Sequence, residues 1–322
     1  MDILKSLDAL PLSFGSSAVT LGNFDGVHLG HRELFRHLVK AARQLNCPSV
    51  VYTFDPHPLK FFAPDKAPLL LNTPEEKRRL IAASHIDYLI ESPFTTQFAT
   101  MSPEQFVDDI LLAKLHVKAL VVGYDYAFGK KRRGDTNFLQ AYGKEKGFTV
   151  EVLQPVGDDD LPYSSTRIRS MIASGDVAGV VHLLGRQYNL EGCVVPGNQR
   201  GRELGFPTAN LETDKEQLPA SGVYAVKVRY GLQEYSGVVN IGNRPTFGGK
   251  NSTIEVYLLD FTGQLYGEKL RIYFVERLRG EQKFSSINEL VGAIEGDIVQ
   301  ARQILQSVQI IQYREYLSLK QD

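Results

Sequence analysis

Through the first half of the chain, short apolar runs alternate with amphipathic stretches. Ala18 to Leu21, Ser49 to Phe54, Tyr88 to Ile90, Leu120 to Val122 and Thr149 to Leu153 read as strands. Glu33 to Ala42, Pro74 to Ser84 and Pro103 to Leu115 carry helical spacing between them. Strand and helix in alternation predict a parallel sheet covered on both faces, with its ligand at the carboxyl ends of the strands. Two short helices follow, Thr166 to Ser174 stopped by Gly175 and Asp176 to Leu184 stopped by Gly185.

Beyond Gly185 the period changes to two. GVYAVKVRYG, YSGVVNIGNRP, STIEVYLLDF and KLRIYFVERL succeed one another with Gly or Pro between them. In the first, Tyr224, Val226, Val228 and Tyr230 share one face, and Lys227 and Arg229 fall on the other. The prediction is a small antiparallel β-barrel, closed by an amphipathic helix from about Ser286 to Gln306. The fold class is therefore α/β plus β: a Rossmann-like domain over residues 1–184 and a barrel domain over 185–322.

Composition narrows the functions this fold can serve. The 322 residues suit two domains, and 36 Lys plus Arg against 37 Asp plus Glu leave a net charge of -1. No global positive field recruits nucleic acid or an acidic membrane, so any phosphate binding must be local. Two cysteines, Cys47 and Cys193, make no disulfide framework or CxxC motif and fit a reducing compartment. The N-terminus lacks a signal-peptide h-region and no run reaches the ~18 apolar residues of a membrane span, so the expected location is cytoplasmic.

The chemistry concentrates after strands. Gly22-Asn23-Phe24-Asp25-Gly26-Val27-His28-Leu29-Gly30-His31 leaves the first strand and enters a helix, where backbone amides and the helix dipole favour an anion. His28 and His31, spaced i, i+3, can both serve one polyphosphate and steady charge on a departing pyrophosphate. A Walker lysine and GxGxxG are both missing, which argues against a P-loop and a dinucleotide fold. HxGH in this setting is the signature of the nucleotidyltransferase superfamily. Asp125 and Arg132 lie in a second loop, GYDYAFGKKRRGD, whose basic run is framed by Phe128-Gly129 and Gly134-Asp135. Ser165 and Thr166 cap a helix with Arg169 one turn in, placed to hold triphosphate oxygens.

The barrel half opens on a Gly-rich basic loop that includes Gly197, Arg202 and Gly205 and can cradle a second nucleotide. Thr208 and Asn210 alternate about Ala209, so their oxygens share a side suited to a hard cation bridging phosphates. Glu255 sits on a predicted strand with Tyr257 and Leu259 on its face. It is either a solvated strand carboxylate or a general base for an attacking hydroxyl, and periodicity does not choose.

Taken together, these segments resemble the bifunctional riboflavin kinase and FAD synthetase family of bacteria over essentially the whole chain. The likeness rests on TLGNFDGVHLGH, FDPHP, the FGxxRxGD pattern, SSTRIR, LLGRQY, GFPTANL, GVYAVKV, NIGNRPTF, EVYLLDF and LRGEQKF. It implies that the first domain adenylylates FMN and the second phosphorylates riboflavin with MgATP. It further implies that His28 and His31 bind ATP phosphates beside Asn23 and Asp25, and that Ser165 and Arg169 complete that site. In the other domain Thr208 and Asn210 would hold Mg²⁺ and Glu255 would activate the ribityl hydroxyl. Tyr163 and the pair Tyr126-Ala127 depart from the family's usual residues. The rival reading is a single-activity HxGH adenylyltransferase with a non-catalytic flavin-binding barrel.

Overall fold

The computed structural model describes residues 1–158, 161–197, 201, 204–246 and 249–311. They fall into two compact units, one of Met1–Leu69 with Pro74–Ser164, the other of Leu70–Thr73 with the chain from Ser165 onward.

In the first unit the strands are β1 (Asp2–Leu4), β2 (Ser17–Leu21), β3 (Ser49–Phe54), β4 (Tyr88–Ser92), β5 (Val117–Gly123) and β6 (Thr149–Leu153). All pair in parallel, in the order β1-β4-β3-β2-β5-β6. Connections run one way from β2 to β3 and β4, and the other way from β5 to β6. The order therefore reverses between β2 and β5, opening a crevice at their carboxyl ends. The helices are α1 (Leu29–Leu45), α2 (Pro58–Phe62), α3 (Pro74–Ala82), α4 (Thr96–Thr100), α5 (Pro103–Gln105, continuing as a wider turn over Phe106–Leu112) and α6 (Thr136–Lys146). Val19, Val50, Leu120 and Val122 are fully buried in the core, as strands covered on both faces require. β1 is an edge strand of three residues, too short to carry a period.

The first unit ends in a short antiparallel pair, β7 (Gly157–Asp158) and β8 (Leu161–Pro162), and the second begins with α7 (Ser165–Ser174) and α8 (Val180–Leu184). Strands β9 (Asn189–Val195), β10 (Ala209–Glu212), β11 (Gly222–Tyr230), β12 (Gln233–Thr246), β13 (Gly249–Leu258) and β14 (Lys269–Gly280) then form a closed barrel, β10-β13-β12-β11-β14-β9. Tyr224, Val226 and Val228 point inward as the alternation predicts. Ala225, on the opposite face, is buried too, because α9 (Ile287–Leu305) lays Ala301 and Leu305 over it. Ser286 caps that helix by accepting the Glu289 N–H at 3.2 Å. Arg279 ties it to the barrel through Asp297, with N–O distances of 2.8 to 3.1 Å.

The compact units part at Ser164/Ser165 rather than at Leu184. Ile168, Ile172, Val180, Leu183 and Leu184 are all buried. The Ala220 N–H donates to Ile172 O at 3.2 Å, and Arg277 of β14 donates to Ser174 O at 3.1 Å and to Ser221 O at 2.8 Å. Gly175, at φ +89°, lies so close to the Arg277 side chain that a Cβ would come within 2.8 Å of it. A chain starting at Ser165 should therefore melt well above one starting at Gly185, since fully burying each large apolar side chain is worth about 1.5–3 kcal/mol. Equal melting temperatures for the two truncated chains would show that α7 and α8 add nothing to the barrel.

Candidate active sites

At the carboxyl end of β2, the loop from Gly22 winds tightly into α1. Phe24, Gly26 and Val27 all have left-handed backbone, at φ +50°, +82° and +38°. For Phe24 and Val27 that conformation is costly and persists only where the surroundings impose it. Phe24 is 2% exposed, its ring packed edge-on against His31 at 5.3 Å and tilted on Phe35 at 5.0 Å. This side chain turns inward and anchors the loop. Asp25 is 5% exposed.

His28 is the N-cap of α1, its Nδ1 accepting the His31 N–H at 3.4 Å. The two imidazoles stack, with centroids 3.6 Å apart and planes 22° from parallel. The helical spacing thus brings both rings to one point. His31 Nδ1 is buried without a hydrogen-bond partner in the protein. Burial, then the His28 ring, then Lys77 hold the His31 imidazole well below its ordinary value of 6.5, so it is neutral at physiological pH.

Across the crevice, β5 delivers Asp125, and its side chain folds back so that a Cβ on Gly123 would meet Oδ1 at 3.3 Å. The basic run is a structured loop. Phe128 and Gly134 exchange backbone hydrogen bonds of 2.9 and 3.0 Å at its base, and Lys131 and Arg132 take left-handed backbone at φ +56° and +55°.

A cavity of about 720 Å³ opens between these loops. Gly22, Asn23, Asp125 and Lys130 to Arg132 form its polar rim, and Phe54, Phe62, Phe94, Phe98, Phe106 and Phe128 its walls. Successive rings meet edge-on or tilted, as at Phe54–Phe98 (4.7 Å) and Phe94–Phe98 (5.5 Å). Its volume and its few convergent polar groups suit a flat aromatic ligand with an anionic tail. The sequence reading missed this chamber. Its signal was the set of phenylalanines beyond the strand period, of which Phe62 remains 57% exposed.

Lys77 on α3 was also missed. Its Nζ donates to Asn23 O at 3.1 Å and to Thr53 Oγ1 at 3.0 Å. Beside it, Arg78 grips the buried Glu91 carboxylate at 2.9 to 3.1 Å and Lys5 reaches it at 2.5 Å. Burial raises the Glu91 pKa, but hydrogen bonds from Arg78 and Lys5 outweigh it and bring the carboxyl below its usual range.

Ser165, Thr166 and Arg169 lie on the opening turns of α7, in the second unit. In the barrel, closure decides which way Glu255 faces. Ile254, Val256 and Leu258 fill the interior, so Glu255 is on the outer face. It pairs in register with Asn210 of β10 on one side and Asn240 of β12 on the other. Opposed side chains in such a row stand about 5 Å apart at Cβ. Leu211 points inward, which puts Asn210 outward with Thr208. Gly197 lies against Asn210, where a Cβ would overlap the amide, and Thr208 Oγ1 would be 3.2 Å from a Cβ on Gly201. The Phe206 ring meets Tyr257 edge-on at 6.0 Å on the same face. Gly205, at φ +87°, is exposed. Arg202 lies outside the described residues.

Two family models match the chain: one described as FAD synthetase over residues 12–167, the other as riboflavin kinase over residues 184–305. A bifunctional riboflavin kinase/FMN adenylyltransferase of Escherichia coli K12 is 41% identical over 286 residues, 88% of this chain and 91% of its own. One from Haemophilus influenzae is 38% identical over 308 residues, 95% and 100% of the two chains. The chain belongs to the bifunctional riboflavin kinase/FMN adenylyltransferase family. A crystal structure described as a macrolide-efflux protein from Streptococcus pneumoniae shares the fold at TM-score 0.85 and 35% identity, over 94% of this chain and 98% of that one. Among the described residues here, no helix is long and apolar enough to cross a membrane. His28, His31 and Asp125 fall within the FAD synthetase match and Thr208, Asn210 and Glu255 within the riboflavin kinase match.

The depressed His31 pKa has a sign that can be tested. Below 6.5 the unfolded chain takes up a proton that the folded imidazole refuses, so stability falls as pH drops from 7 toward 5. Replacing His31 by Gln should flatten that part of the pH–Tm curve. Parallel curves for the two proteins would mean that His31 titrates normally.

Proposed function

We propose that this chain carries out both activities of its family, converting riboflavin and ATP to FMN and ADP, then FMN and ATP to FAD and pyrophosphate. The observation that carries the adenylylating half is the shared rim: Gly22, Asn23 and Asp125 border the aromatic cavity, and the same loop runs into the stacked histidines. In this reading the flavin ring enters the phenylalanine-lined chamber and its phosphate emerges toward the loop. The FMN phosphate oxygen attacks the α-phosphorus of ATP, and the bond to the β-phosphate breaks. FMN is already ionised and needs no base. The demand is for charge stabilisation on the departing pyrophosphate, which His28 and His31 meet. The functional division follows the sequence reading, 1–184 for adenylylation and 185–322 for the kinase.

For the kinase, the row Asn210–Glu255–Asn240 supports a site on the outer face of the barrel. A divalent ion there would be Mg²⁺. Thr208 and Asn210 offer a hydroxyl and an amide oxygen, hard neutral donors that suit an ion sharing its remaining positions with phosphates and water. When bound, Mg²⁺ draws the ATP phosphates together and neutralises their charge. Glu255 accepts the proton of the ribityl hydroxyl as that oxygen attacks the γ-phosphorus. Gly197, Arg202 and Gly205 belong to the loop assigned to the nucleotide. The near-neutral charge and the two free cysteines support a cytoplasmic enzyme that engages neither nucleic acid nor membrane.

Incubation of the full chain with riboflavin and MgATP, followed by HPLC, should show FMN rising and then giving way to FAD. Chelation of the metal should stop FMN formation. Unconsumed riboflavin would defeat the kinase assignment, and FMN that accumulates under all nucleotide and metal conditions would defeat the adenylylating one.

A further inference from the structure

The glycine loop after β2 has no lysine of its own, yet the fold brings one to it. We propose that Lys77 is a cation of the adenylylating site, acting with His28 and His31 on the triphosphate and on the pyrophosphate that leaves it. This rests on the reading that the Gly22–His31 loop is where ATP is cleaved.

An ammonium has three N–H donors, and Lys77 spends two, on Asn23 O at 3.1 Å and Thr53 Oγ1 at 3.0 Å. Both acceptors are neutral. Among the described residues no carboxylate lies within ion-pair distance of Nζ, because the nearby buried Glu91 is taken up by Arg78 and Lys5. The Glu91, Asp25 and Asp55 carboxylates favour the charged form of Lys77 from farther off, yet burial outweighs them and holds its pKa below the ordinary value, so the charge is incompletely compensated and a bound anion would complete its shell. The neighbouring surface is built for that anion. Asn23 begins the left-handed winding into α1, and Lys77 is close enough to His31 to depress its imidazole pKa along with burial and His28. With His31 neutral and His28 stacked on it, the rings supply hydrogen-bonding nitrogens, and Lys77 adds a positive charge beside them.

As the bond between the α- and β-phosphates breaks, the bridging oxygen keeps the electron pair and negative charge grows on the leaving pyrophosphate. A cation beside the loop is worth more at that moment than in the ground state. The fold thus supplies from α3 what a Walker motif carries within its own loop.

The test uses the full chain, whose kinase activity reports on folding independently. Lys77→Met should lower kcat/KM for ATP in FAD synthesis from FMN by ~10² to 10³. It should raise the inhibition constant of added pyrophosphate at least tenfold and leave riboflavin phosphorylation within about twofold of wild type. Lys77→Arg should keep part of the activity, and ethylammonium should partly restore Lys77→Ala. FAD synthesis by Lys77→Met within twofold of wild type would overturn the proposal. So would a large loss with unchanged pyrophosphate inhibition and no amine rescue, since that pattern marks a residue that only props up the loop. Wild-type protein that makes no FAD would instead remove the adenylylating reading on which the proposal rests.

Discussion

Six parallel strands end on the same edge of the first sheet, and at the point where their order reverses, the proposed function asks that edge to accept a polyanion. The main difficulty is compensating charge in a partly dry crevice without burying loose cations there beforehand. The loop from Gly22 to His31 answers with backbone amides, a helix N-terminus and the neutral His31 imidazole, none of which costs a desolvated charge. The Lys77 ammonium is steadied by two oxygens of the same substructure. The surrounding arrangement serves this purpose. Phe24 is buried to hold the loop's unfavourable backbone, Arg78 and Lys5 neutralise Glu91, and phenylalanines line the neighbouring cavity.

The kinase chemistry proposed for the barrel makes a different demand, removing a proton from a neutral hydroxyl while a metal would hold the phosphates. Its solution depends on register. Asn210, Glu255 and Asn240 come from three strands that are far apart in sequence, and closure aligns them in one row on the outer face. A one-residue slip of β13 would send Glu255 into the apolar interior. The packing of Ile254, Val256 and Leu258 therefore also fixes where the carboxylate points.

Features set by local period were readable before any coordinates. Ser49 to Phe54 and Thr149 to Leu153 form strands over the ranges expected, and the His28–His31 spacing brings the rings together as a helical turn must. Three features were not readable because they depend on distant partners. Glu255 has the same period whether it faces solvent or a site, and only barrel closure settles its face. Lys77 stands among other charged residues on an ordinary amphipathic helix, and nothing in PEEKRRL reveals that Asn23 lies against it. The boundary at Leu184 followed the change of period, whereas packing against Ala220 and Arg277 places α7 and α8 with the barrel.

The central claim is that two chemistries with different requirements run at two separate sets of residues. Following riboflavin phosphorylation and FMN adenylylation separately in Glu255→Gln and His28→Ala tests it most directly. A lost general base should cut kinase turnover by ~10² to 10⁴ in Glu255→Gln, which still converts supplied FMN to FAD. His28→Ala should phosphorylate riboflavin normally and stall at FMN, with adenylylation down ~10² to 10³. A folded Glu255→Gln protein that loses FAD synthesis from FMN as severely as it loses kinase activity would contradict the account.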